Sequence, residues 1–207
     1  MKKLFLFLSF LFLISCKSQN KNMNIPTVDN SFEKFDFSVM NKYPKNSLGD
    51  VKLFLDNGNY LNITKTNDKI YYIETFKDSY SQLYKAYYKN GNIKSKGMGF
   101  NGDAFQKGIW YEFDESGKLI KKTDYDQPFK FTFEDIVKFC VKENIPLTKG
   151  PVIQSTGFHT MIRRSAENQQ PIWEIEWLKK PDVVETIIVD GISDKVISRK
   201  EAKYINN

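Results

Sequence analysis

The chain has 207 residues, with 31 Lys or Arg against 25 Asp or Glu, a formal net charge of +6, one histidine and two cysteines. A single histidine excludes a His/Cys metal cluster and the HExxH zinc motif. Basic and acidic residues alternate, which excludes the dense Lys/Arg stripe of a nucleic-acid binder.

The first element is an N-terminal leader. Met1-Lys2-Lys3 precedes an apolar run from Leu4 to Ile14, then Ser15 and Cys16. A bilayer core of about 30 Å takes roughly 20 apolar residues to cross as a helix, so the run is too short for a permanent span and reads as the h-region of a signal peptide. Leu13-Ile14-Ser15-Cys16 resembles the bacterial lipobox. That resemblance implies cleavage before Cys16, diacylglycerol on its thiol, and a membrane anchor in which each buried methylene contributes about 0.8 kcal/mol. With Cys16 lipidated, Cys140 has no disulfide partner within the chain. Without Lys2 and Lys3, 29 basic residues face 25 acidic ones, and the mature net charge is +4.

Residues 17–47 are expected to be a tether and an N-terminal arm. Lys17 to Asn24 is polar and cannot bury enough apolar surface to order itself. The arm that follows carries Phe32, Phe35, Phe37, Val39 and Tyr43, which would pack on the first domain. In lipoproteins an Asp after the cysteine can mark inner-membrane retention. Here Lys17 stands there and no acidic run follows, so the resemblance implies an outer-membrane protein facing the periplasm.

Residues 48–126 read as a β-hairpin repeat domain. Asp56-Asn57-Gly58-Asn59 separates Val51–Leu55 from Tyr60–Thr64, and Lys89-Asn90-Gly91-Asn92 separates Leu83–Tyr88 from Ile93–Gly97. Asn-Gly supplies the positive φ of a tight hairpin. Asp114 to Lys118 separates Ile109–Phe113 from Leu119–Thr123, with Gly117 in the left-handed region. Further turns are signalled at Asn67-Asp68 and Asn101-Gly102-Asp103. Gly58, Gly91 and Gly117 lie 33 and 26 residues apart, in the range of repeat arrays. Tyr87 to Ile120 resembles the bacterial MORN-repeat variant, whose unit runs Gly-x-Trp-x-x-Tyr-x-x-x-Gly-x-Leu. Gly108-Ile109-Trp110-Tyr111-Glu112-Phe113 and Gly117-Lys118-Leu119 follow it, with Phe113 in place of Tyr. The family implies hairpins stacked into an elongated sheet, with Tyr88, Trp110 and Phe113 packed between neighbours. It also includes antitoxin-like proteins.

Residues 130–207 read as a separate helix-plus-sheet unit beyond a hinge at Pro128. Thr132 and Asp135 form a near capping box, and Phe133, Ile136, Val137 and Cys140 fall on one face of a helix that Pro146 would stop. Strands are expected at Val152–Ser155, Phe158–Arg164, Ile172–Leu178, Val183–Val189 and Lys195–Arg199. Alternation places Trp173, Ile175 and Trp177 on one face. Trp173-x-Ile175 with Ile188-Val189-Asp190-Gly191 and Val196-Ile197 resembles a small PepSY-type domain, although its turn is longer than the usual Asp-x-x-Gly. That likeness implies a non-catalytic binding or inhibitory module.

The fold expected is therefore mainly β with an α+β C-terminal part: stacked hairpin repeats, then a helix packed on a small antiparallel sheet. Catalytic motifs are sparse. There is no Walker A loop, GxGxxG or Gly-x-Ser-x-Gly elbow. A Cys140–His159 dyad is the sharpest enzymatic arrangement, but Cys140 sits on an apolar helix face, where cysteine behaves as a small hydrophobe. The reading favoured is a non-catalytic, lipid-anchored envelope protein without metal or cofactor that binds a protein or an envelope glycan. Tyr87, Lys89, Lys94 and Trp110 are its candidate contacts. A toxin-neutralising immunity protein and an uncharacterised hydrolase are the alternatives.

Overall fold

The computed structural model describes residues 25–102, 105–152, 157–166 and 170–204. The signal peptide, Cys16, the tether and most of the strand expected at Val152–Ser155 lie outside them.

The hairpin region is one antiparallel meander. Its strands are β1 (Val51–Phe54), β2 (Tyr60–Lys65), β3 (Lys69–Thr75), β4 (Ser81–Tyr88), β5 (Ile93–Phe100), β6 (Gln106–Phe113) and β7 (Leu119–Asp124). Each pairs with its sequence neighbours, so the seven strands stand in chain order. No strand is expected from the sequence at β3. Lys69–Thr75 is apolar on both faces, with Ile70 and Tyr72 turned one way and Tyr71 and Ile73 the other, which hides the period of two. Gly58, Gly91 and Gly117 hold positive φ at the three expected turns. At Gly91 the demand is also steric, because a Cβ there would lie 2.9 Å from the Phe37 ring.

The pleat gives this sheet two faces. One carries Leu61, Ile63, Ile70, Ile93, Tyr111 and Phe113, covered by Val28, Phe35, Val39, Met40 and Tyr43 of the arm, which includes the single-turn helix α1 (Val39–Lys42). The arm is stitched down by backbone bonds from Phe35 N–H to Gly91 O (2.8 Å) and from Ile93 N–H to Glu33 O (3.0 Å). Lys96, only 4% exposed, donates to Ser31 O at 2.7 Å and lies 3.4 Å from Glu33, which also pairs with Lys85 at 2.7 Å. A buried ammonium without such acceptors would be strongly destabilising.

The second part follows with α2 (Phe133–Lys142) and strands β8 (Met161–Ser165), β9 (Ile172–Lys180), β10 (Val183–Asp190) and β11 (Val196–Lys203), ordered β11-β10-β9-β8. The capping box is complete: Asp135 N–H donates to Thr132 Oγ1 (3.2 Å) and Thr132 N–H to Asp135 Oδ2 (3.1 Å). Hydrogen bonds from Lys138 and then Thr132 hold the Asp135 carboxyl down at about 2. The helix ends before Pro146 can act. Asn144 takes φ 57°, and Ile145 N–H returns to Cys140 O at 2.8 Å, a left-handed termination. Strand β8 begins three residues later than the expected Phe158.

Phe133, Ile136 and Cys140 of α2 pack on Ile162, Trp173, Ile175, Ile187 and Val189. The same core takes in Phe100 of β5, with Phe105 and Tyr80 beside it, so the two sheets meet through packed side chains. Asn101 strengthens the junction by donating to Thr148 O (3.0 Å) and Gly150 O (2.5 Å). Trp173, Ile175 and Trp177 share the inner face, and the Trp177 indole donates to Glu185 (2.9 Å).

Candidate binding site

Among the described residues no helix or arm is laid across the face of the seven-stranded sheet opposite the arm, and its residues come from the alternate positions of the same strands. Register places Asn62 opposite Ile73, Ile73 opposite Tyr84, and Tyr84 opposite Gly97. Gly97 carries no side chain in this row, and the Trp110 indole from β6 fills the space. A Cβ on Gly97 would fall 2.3 Å from that ring. An irregularity in the β5–β6 pairing between Lys96 and Met98 accompanies this close approach. The indole N–H donates to Met98 O at 2.9 Å, which sets the orientation of the ring.

Aromatic rings continue from there. Tyr84 lies 5.4 Å from Trp110 at 34°, Tyr71 lies 6.2 Å from Tyr84, and Tyr125 meets Trp110 edge-on at 6.3 Å. Tyr84, Trp110, Tyr125, Ile73, Gln82 and Ser95 line a concavity of about 560 Å³. Its wall towards the second sheet is Phe105, Gln106 and Arg164. Arg164 is committed to structure: it pairs with Asp126 at 2.7 Å, donates to Gln106 O, and is stacked among Phe105, Phe129 and Trp173. Burial, and secondarily Tyr71, pushes the Tyr84 hydroxyl above its ordinary range, so it stays a neutral phenol.

The four candidate contacts do not come together. Trp110 lies in the groove but is only 7% exposed, in keeping with a packing role for most of the ring. Tyr87 is a correction. It is 4% exposed, sits on the arm face with Phe35 at 5.3 Å, and offers no surface to a partner. Adjacent Tyr88 points the other way, so a shift of one position decides between core and surface. Lys89 is exposed in the β4–β5 turn, and the Lys94 ammonium lies 5.2 Å over the Tyr88 ring. Tyr84, Gln82 and Tyr125 escaped the sequence reading, because their neighbourhood depends on the unrecognised β3 and on pairing across strands.

Cys140 and His159 are each accounted for separately. Cys140 is fully buried, and burial pushes its thiol up to about 12, far from the thiolate a nucleophile requires. His159 Nδ1 lies 3.1 Å from the Thr148 hydroxyl. Among the described residues no three His, Cys, Asp or Glu side chains gather as a metal site, and no helix is long and apolar enough to cross a membrane. No family model, curated protein or solved structure matches the chain.

Proposed function

We propose that this protein is a non-catalytic, lipid-anchored binding module of the bacterial cell envelope, held through Cys16 in the outer membrane and facing the periplasm. The observation that carries the binding half is the groove around Tyr84 and Trp110, on a sheet face left open while the arm covers the other. Concave sites of a few hundred Å³ with apolar walls and a few polar groups, placed where two parts of a molecule meet, are the usual form of a binding site. The lipobox at Leu13–Cys16 carries the anchoring half. Hairpins added side by side along one sheet support the MORN-like reading of residues 87–120. A capped helix followed by a four-stranded antiparallel sheet supports the PepSY-like reading of the C-terminal part.

Two variants test the halves separately. Cys16→Ala is expected to move the protein from the membrane fraction to the soluble fraction; retention against a high-salt wash would defeat the anchor. Tyr84→Ala is expected to keep the protein on the membrane and lower its capture of envelope material. Unchanged capture would defeat the groove.

A further inference from the structure

We infer that the groove over Tyr84 and Trp110 takes a neutral saccharide, a segment of an envelope glycan. This rests on the binding reading above and names its ligand class.

Charge comes first. In a chain whose residues are 27% charged, the groove lining has, among the described residues, a single charged side chain, Arg164. That side chain is 6% exposed, with its guanidinium already engaged by Asp126 and Gln106 O. Among the described residues the groove therefore offers no free ion to recognise phosphate, carboxylate or ammonium, which favours a neutral ligand.

Polar groups come second. Among the described residues the Tyr84 and Tyr125 hydroxyls, the Ser95 hydroxyl and the Gln82 amide nitrogen have no hydrogen-bond partner, while Gln82 Oε1 accepts from Thr75 at 3.3 Å. None of them is a sealed, orphaned atom, so each is available to solvent or ligand. Neutral donors and acceptors set among aromatic rings match a sugar, which presents C–H faces to a ring and hydroxyls at its rim. Tyrosine serves both needs at once.

A protein partner fits less well. A standard protein interface covers about 800 Å² on each side and centres on deeply inserted aromatic or Arg anchors. Here the one indole is 7% exposed, with its neighbourhood taken up by Gly97 and Tyr84. The site is small and fixed in shape, with the indole hydrogen-bonded in place, which limits the ordering cost of binding.

The test titrates the full lipidated chain in detergent with cello-, malto-, xylo- and fully N-acetylated chito-hexaose, read by calorimetry and tryptophan fluorescence. At least one sugar is expected to bind with Kd of about 1 mM or tighter. Tyr84→Ala should weaken it about tenfold or more, and Tyr84→Phe, which removes only the hydroxyl, by a smaller factor. Ser95→Arg, placed on the open face, should block binding with an unchanged melting temperature. No binding by any of the four sugars overturns the inference, as does binding that survives both Tyr84→Ala and Ser95→Arg. Capture of an envelope protein through Tyr84 without sugar binding overturns the ligand class alone. Failure of the anchor would appear only in the Cys16→Ala fractionation.

Discussion

On the arm side of the seven-stranded sheet the pleat presents Ile63, Ile70, Ile93 and Phe113; on the other side it presents Asn62, Tyr71, Tyr84 and Trp110. The strands are shared, and the difference lies in what covers them. The arm side is closed by the chain's own residues 28–43 and can use aliphatics, with Lys85 paired to Glu33 and Lys96 paired to both Glu33 and Asp29. The open side stays in contact with water and uses amphipathic rings, amides and hydroxyls. Chemistry that tolerates solvent yet keeps apolar faces on offer is what the proposed binding role asks of this face.

The largest expected effect breaks the closed face. Phe113 is 1% exposed, and Phe113→Ala should cost about 3–5 kcal/mol in denaturant unfolding, through lost transfer energy and a cavity. Trp110→Ala should cost about 3 kcal/mol, because the ring covers Gly97 as well as lining the groove. A cost under about 1 kcal/mol would make Trp110 a surface residue and remove the distinction between groove floor and groove wall.

A smaller effect concerns the arm. Replacing Lys96 with Met deletes the ammonium under Ser31 and Glu33 while keeping most of the volume. The expected result is faster amide exchange of Phe35 and Ile93, whose backbone bonds hold the arm, at a global cost of about 1–2 kcal/mol. Uniform loss of protection across all seven strands would mean that the arm is part of the sheet's folding unit.

Alkaline pH should distinguish the faces again. Burial raises the Tyr72 and Tyr87 hydroxyls on the arm side well above their ordinary 10.0, and raises Tyr84 on the open side. A pKa raised in the folded state means that the neutral form is favoured by folding. The contribution is complete below pH 10.0, the unfolded value, and fades as pH climbs towards the folded values. Tyr87→Phe should therefore flatten the loss of stability above that pH more than Tyr84→Phe does. The reverse order would place the stronger burial on the open face.

These contrasts were legible in the sequence only where the cause was local. The Asn90-Gly91 turn needs positive φ at one residue, and the Thr132–Asp135 box needs two side chains three positions apart, so both could be read directly. Strand β3 could not, because a strand packed on both faces loses its alternation. The groove depends on Tyr84, Gly97 and Trp110 meeting across three strands, through an irregularity in the β5–β6 pairing that no local pattern announces. Nor does the sequence say which face the arm will take. That choice sends Tyr87 inward and leaves Tyr84 at the groove, although the two belong to one strand.

The smallest expected effect asks whether the hairpin tips are a rival surface. Lys89 is exposed in the β4–β5 turn, and no hydrogen bond, ion pair or ring contact holds its side chain among the described residues. Lys89→Ala should change stability by less than about 0.5 kcal/mol, as surface substitutions away from special features do. It should also leave capture of envelope material unchanged, since the groove lies among β3 to β6 and not at that turn. If Lys89→Ala lowered capture while Tyr84→Ala did not, the contact surface would be the lysine-bearing turns. The open face would then be a solvated surface of the sheet, and its aromatic rings would serve only to cover Gly97.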